Sequence, residues 1–256
     1  MAVKEICKLA DTCKKAGSEQ CNNLCFPFVF LHGSQGNTGM WATRNVPKKY
    51  DNCWMGNLPI KESNPKAYSV IEKYCGNVVD FVLNKGVGLF LYSIPNKENK
   101  FGTGTGKTTS AITIQNHFTL EASREHLKGN LVLEQNPSLF VKASELQNKY
   151  NEQFRGTVEM QKEASEKFYK LKQRMKEIPL LIVDDIAIRE ITQAFENELY
   201  EVIDTRATNE LATIYTSNLA ITELGAMIGD RIASRIDGMT VKVAFQGQDF
   251  RKGGLF

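Results

Sequence analysis

The sequence predicts an α/β protein built on a parallel sheet. Three observations predict it. Apolar runs of strand length occupy residues 87–94, 138–143, 179–185, 212–218 and 240–245, with helix-patterned segments between most of them. The first run leads through a glycine-rich loop into a helical pattern. The third run, PLLIVDD, ends in two adjacent carboxylates.

The chain has 256 residues, 42% hydrophobic and 24% charged, enough for one ample core plus a small module. No apolar run approaches the roughly 18 residues of a membrane helix. The first fifteen residues hold no apolar signal core, so a cytoplasmic protein without membrane contact is expected. The net charge of +3 identifies no partner.

The first sixty residues are rich in Cys, Gly, Asn and aromatics and show little periodicity. The segment VPKKYDNCWMGNLP closes them, which predicts a small module over 1–60 and a main domain over 61–256. All six cysteines (Cys7, Cys13, Cys21, Cys25, Cys53 and Cys75) lie in the first third. In a reducing compartment such clustering reads as metal binding before disulfides.

From Pro65 a helix is predicted, with Ala67, Val70, Ile71, Tyr74, Val78, Phe81 and Val82 on one face, ending at Gly86. After the first strand comes NKENKFGTGTGKTTS. Gly102, Thr103, Gly104, Thr105, Gly106, Lys107, Thr108 and Thr109 form a phosphate cradle in sequence terms. Backbone N–H groups converge at a helix N-terminus, Lys107 reaches the β and γ phosphates, and the Thr108 hydroxyl ligates magnesium. Two features depart from the usual pattern. Phe101 stands where a glycine is expected, and a polar run over 96–100 precedes the loop.

Asp184, at the tip of the third strand, is placed to serve the magnesium shell, and Asp185 to orient or deprotonate the attacking water. Asn218 ends the fourth strand, where an amide can contact the γ-phosphate or that water. Arg231 and Arg235 are one turn apart on a predicted helix. An arginine so placed can stabilise phosphoryl transfer on a neighbouring subunit's nucleotide. Residues 157–178 form an amphipathic helix with the apolar stripe Met160, Ala164, Phe168, Leu171, Met175 and Ile178 and many lysines on its other faces.

In this order and spacing, GLFLYS, GTGTGKTT, LLIVDDI, ELYEVIDTRATNELATIYTSN and GDRIASRI resemble the AAA+ ATPases, and among them the DnaC/DnaI helicase loaders and the related IstB transposition helpers. The resemblance covers roughly residues 66–256. It implies a five-stranded parallel AAA+ core with a truncated or absent helical lid, ATP and Mg2+ as cofactors, Asn218 as first sensor, Arg235 as a trans-acting finger and Arg251 as a γ-phosphate-sensing arginine. It places the 157–178 helix on a DNA-facing surface. It also implies an N-terminal zinc module that grips the helicase. Cys13, Cys21, Cys25 and His32 suit tetrahedral zinc, with Cys7 and Cys53 as alternative ligands. The expected function is ATP-dependent loading of a hexameric replicative helicase onto single-stranded DNA, with weak hydrolysis and self-association through the ATP site. The alternatives are a nucleotide-binding adaptor or inhibitor of a helicase or loader, and an IstB-like transposition helper.

Overall fold

Each of the five apolar runs is a strand. In the computed structural model, which describes residues 2–187 and 191–251, the order is α1 (Val3–Ile6), α2 (Phe26–His32), α3 (Gly39–Ala42), α4 (Pro65–Gly76), α5 (Val78–Leu83), β1 (Gly88–Ser93), α6 (Lys107–Leu127), β2 (Ser138–Lys142), α7 (Ala143–Glu152) and α8 (Val158–Glu177). There follow β3 (Leu180–Asp184), α9 (Gln193–Thr208), β4 (Thr213–Ser217), α10 (Ile221–Ile228), α11 (Asp230–Met239) and β5 (Thr240–Phe245). All strands pair in parallel in the order β2-β3-β4-β1-β5.

Strand alternation divides the core into two layers. Leu89, Leu91, Ile182 and Ile214 pack with α4, α5 and α6, while Phe90, Leu181, Val183 and Tyr215 pack with α7, α8, α9, α10 and α11. Both faces of β1–β4 are covered, which is why those strands read as apolar runs, whereas the edge strand β5 leaves Val241 and Lys242 exposed.

The predicted 65–86 helix is two helices. Asn77 leaves helical geometry (φ −126°, ψ 24°), and its side-chain amide donates to the Lys73 carbonyl at 3.0 Å. The 157–178 helix is present, but its apolar stripe is buried only in its second half. Phe168, Met175 and Ile178 are in the core, whereas Met160 is 59% exposed beside exposed Val158, Phe154 and Tyr169. A helix of 20 residues is about 30 Å long, far longer than the five-residue strand β3 that follows it.

The first sixty residues lie against this core. Leu9, Leu31, Met40 and Trp41 pack with Leu120 of α6, and Cys53, Leu58 and Ile60 join the α4–α6 layer. Arg44 is buried, stacks on the Trp41 ring at 3.5 Å, and donates to Asn116 of α6 and to Asp51. Beside it, the chain seals the outer edge of β2. The Phe140 N–H donates to the Arg44 carbonyl at 3.0 Å, and the Asn45 amide donates to the Phe140 carbonyl at 2.8 Å. Among the described residues no helix follows β5, and none is long and apolar enough to cross a membrane.

Candidate nucleotide-binding site

The C-terminal ends of β1, β3 and β4 meet the start of α6, the place where parallel sheets present loops to ligands. Residues 102–106 wrap the end of β1. Gly102, Gly104 and Gly106 all have positive φ, and a Cβ on Gly106 would run into the Ile60 side chain. Phe101 has no positive φ and its ring is 79% exposed, so the loop needs no glycine there.

Lys107 turns back under the loop. Its ammonium donates to Ser93 Oγ at 2.5 Å, Asn218 Oδ1 at 2.8 Å and the Gly102 carbonyl at 3.0 Å. Burial lowers its pKa to about 8, with Asp185 and Asp184 pulling the other way. Asp184 accepts from the Thr108 hydroxyl at 2.8 Å and the Thr216 hydroxyl at 2.7 Å. Burial and then the neighbouring Asp185 raise its carboxyl to about 6, against those two hydrogen bonds. Thr216 also accepts the Asp185 N–H at 2.9 Å, which helps hold Asp185 at φ 54°. This left-handed geometry is uncommon for a residue other than glycine.

Thr103, Gly104, Thr105, Gly106, Lys107, Thr108 and Thr109 line one cavity of about 360 Å³ with Asp185, Asn218 and Arg251. The donor set suits a nucleoside triphosphate with a divalent cation. The 102–108 backbone and Lys107 can take phosphate oxygens, while the Thr108 hydroxyl and Asp184 carboxylate can enter a magnesium shell. Asp185 and Asn218 face the same space and can position a water.

Residues 150–251 match the family described as IstB-like ATP binding protein. The match runs from the end of α7 to the residues after β5. Among solved structures, the DnaC helicase loader aligns with 78% of this chain and 99% of its own at a TM-score of 0.56 and 19% identity. DnaI aligns with 78% of this chain and 95% of its own at 0.55 and 18%. The replication initiator DnaA bound to AMPPCP and single-stranded DNA aligns with 80% of this chain and 52% of its own at 0.54 and 19%. These likenesses are of fold. No curated protein matches the chain in sequence.

On this parallel α/β frame, the sequence-predicted residues fall into three places. Lys107, Thr108, Asp184, Asp185, Asn218 and Arg251 come together at the cavity. Arg231 and Arg235 do not. They line a separate cavity of about 940 Å³ with Gly88, Glu210 and Thr240, at the opposite ends of the strands. There Arg235 Nε pairs with Asp204 at 2.8 Å, and Arg231 lies 4.1 Å from the Tyr200 ring centre.

The expected zinc quartet is the third place, and it needs correcting. His32 is buried, its Nε2 accepts the Lys8 N–H at 3.1 Å, and burial lowers its pKa to about 4. That nitrogen is already used, and the ring packs on Phe28 and Trp41. Cys13, Cys21 and Cys25 instead line a cavity with Cys7. Among the described residues no three His, Cys, Asp or Glu side chains are drawn together at metal-binding geometry. Spacing alone does not reveal which ring nitrogen is already occupied.

No sequence motif points to Ser93, Thr216, Tyr50 or Pro59. Ser93 meets Lys107, Thr216 meets Asp184, and Tyr50 and Pro59 line the cavity wall. Ser93 and Thr216 could have been found by asking which hydroxyls end strands adjacent to the loop and to Asp184.

Proposed function

We propose that this protein loads a replicative DNA helicase onto single-stranded DNA, using ATP to switch assembly and release. The observation that carries the reading is the agreement of its fold with nearly the whole DnaC helicase loader chain, joined to a loop, acid and amide arrangement fit for ATP and magnesium. Lys107 and Thr108 bind the triphosphate and its cation, Asp184 completes the metal shell, and Asp185 with Asn218 orients the water. Arg235 leaves its ion pair with Asp204 and stabilises charge on a neighbouring subunit's nucleotide. The exposed Lys162, Lys167 and Lys170 of α8, with the exposed Phe154, Met160 and Tyr169 before and along it, meet single-stranded DNA by charge and stacking. Hydrolysis is weak and depends on assembly, and the protein works in the cytoplasm.

Residues 1–60 form the helicase-contacting part and 61–256 the ATPase. Leu24 and Phe26, 80% and 66% exposed, supply an apolar contact. Zinc in this part would be held by the thiols of Cys7, Cys13, Cys21 and Cys25, which line one cavity. Metal analysis checks this, and purified protein without zinc and with all thiols freely titratable refutes it.

The deciding experiment is co-purification of the full chain with a hexameric replicative helicase. Retention that is lost in Leu24→Asp and Phe26→Asp supports the loader, as does helicase transfer to single-stranded DNA that requires Lys107. The IstB-like match favours a second reading, a transposition helper. ATP-dependent assembly on DNA with no helicase binding supports that one.

A further inference from the structure

The polar run before the phosphate loop is explained by one residue. Asn96 folds the run back on itself, its Oδ1 accepting the N–H groups of Glu98 at 3.0 Å and Asn99 at 2.7 Å. This turn drives Asn99 inward. It is 7% exposed, while residues 94–98 and 100 are exposed. The Asn99 amide then grips both main-chain groups of Thr103, donating to its carbonyl at 2.7 Å and accepting its N–H at 3.2 Å. It also donates to the Gly247 carbonyl at 3.2 Å, beyond the last strand.

That distant segment is tied down on both sides of Gly247. Asn64 binds the main chain of Gln246 at 2.7 and 2.9 Å. Asp249 accepts from the Thr103 hydroxyl at 3.1 Å, and the Phe250 N–H donates to the Gly104 carbonyl at 3.1 Å. Contact is so close that a Cβ on Gly104 would collide with the Asp249 carboxylate. The outcome is that Phe250 and Arg251 stand in the wall of the cavity.

We propose that Asn99 is a positioning residue for nucleotide. It clasps the phosphate loop to the segment after β5, and so places Arg251 against the phosphates where no described helix does so. The inference rests on reading the cavity as an ATP site. Because clasp and nucleotide act on the same loop, each favours the other's closed arrangement.

The test is a double-mutant cycle on ATP affinity, measured by calorimetry on the full chain. Asn99→Ala and Arg251→Ala are each expected to weaken ATP by about tenfold, and the double variant by no more than either alone. Asp249→Ala is the second variant, removing the anchor from the other side, and the same coupling to Arg251→Ala is expected. Full multiplication of the two effects in both cycles, or unchanged affinity in Asn99→Ala and Asp249→Ala, overturns the proposal. If Asn99→Ala does not fold, the Asp249→Ala cycle decides alone. Lys107→Ala separates the two readings: if it leaves ATP affinity intact, the ATP site itself is wrong. If it weakens binding strongly while the cycles show no coupling, only the clasp is wrong.

Discussion

The two ends of the sheet carry the same kinds of residue under opposite conditions. At the C-terminal ends of the strands, Lys107 and Asp184 are buried, hydrogen-bonded and shifted in pKa by desolvation. At the N-terminal ends, Arg235 sits half-exposed on an open cavity, paired with Asp204. The first end is finished by its own chain. The second holds Arg235 on Asp204 and Arg231 on the Tyr200 ring, away from the nucleotide cavity. Under the proposed function the first end is a preorganised binding half and the second a donated half, and the difference shows which variants should alter binding and which should alter turnover.

The largest effect sharpens that division. Arg235→Ala is expected to lower ATP turnover of the assembled protein by about 10³-fold, while nucleotide affinity and melting temperature stay as they were. A loss of affinity instead would mean that Arg235 acts within its own subunit. Next is Lys107→Ala, expected to weaken ATP by about 100-fold, since it removes a charge-assisted contact from a desolvated cavity. Titration with a fluorescent nucleotide measures it.

Asp184→Asn breaks the comparison in another direction, because a finished site stores cost. The folded state raises the Asp184 carboxyl from 3.8 to about 6 and so holds its proton more tightly than the unfolded chain. Stability therefore falls as pH rises from about 4 to about 6 and remains lowered above that. Replacing the acid with the amide should stabilise the nucleotide-free protein at pH 7.5 by about 2–3 kcal/mol, read by denaturant unfolding, while magnesium-dependent hydrolysis is lost. The smallest effect is in pH. Lys107 binds phosphate as the ammonium and titrates near 8 in the free protein, so ATP affinity should decline by up to about tenfold per unit above that value. In Lys107→Ala this dependence should vanish.

Much of this was legible in the sequence, for definable reasons. Strands β1–β4 were readable because both faces are buried, and the meeting of Lys107, Thr108, Asp184 and Asn218 because a glycine-rich loop and neighbouring strand tips lie at fixed places in a parallel sheet. Met160 was misjudged because an apolar stripe records periodicity and says nothing of how far the sheet extends beneath it. Asn77 looked like helix interior, and its break follows from a local side-chain bond back to Lys73. Ser93, Thr216 and Asn99 are ordinary residue types. Their roles come from strand register and from a contact spanning residues 99 and 247, neither of which is written in local pattern. His32 carried a ligand's chemistry but had already spent its nitrogen on Lys8.

The loop at Arg44 and Asn45 sets how the molecule can be taken apart. By occupying the outward N–H and carbonyl of Phe140, it blocks strand addition along that side of the sheet. Removing the first sixty residues would open a sticky border and strip the partner of Asn116 from inside α6. A shortened protein would then tend to aggregate through β2. Point changes on the intact chain are the sounder way to separate the proposed helicase contact from the proposed ATP chemistry.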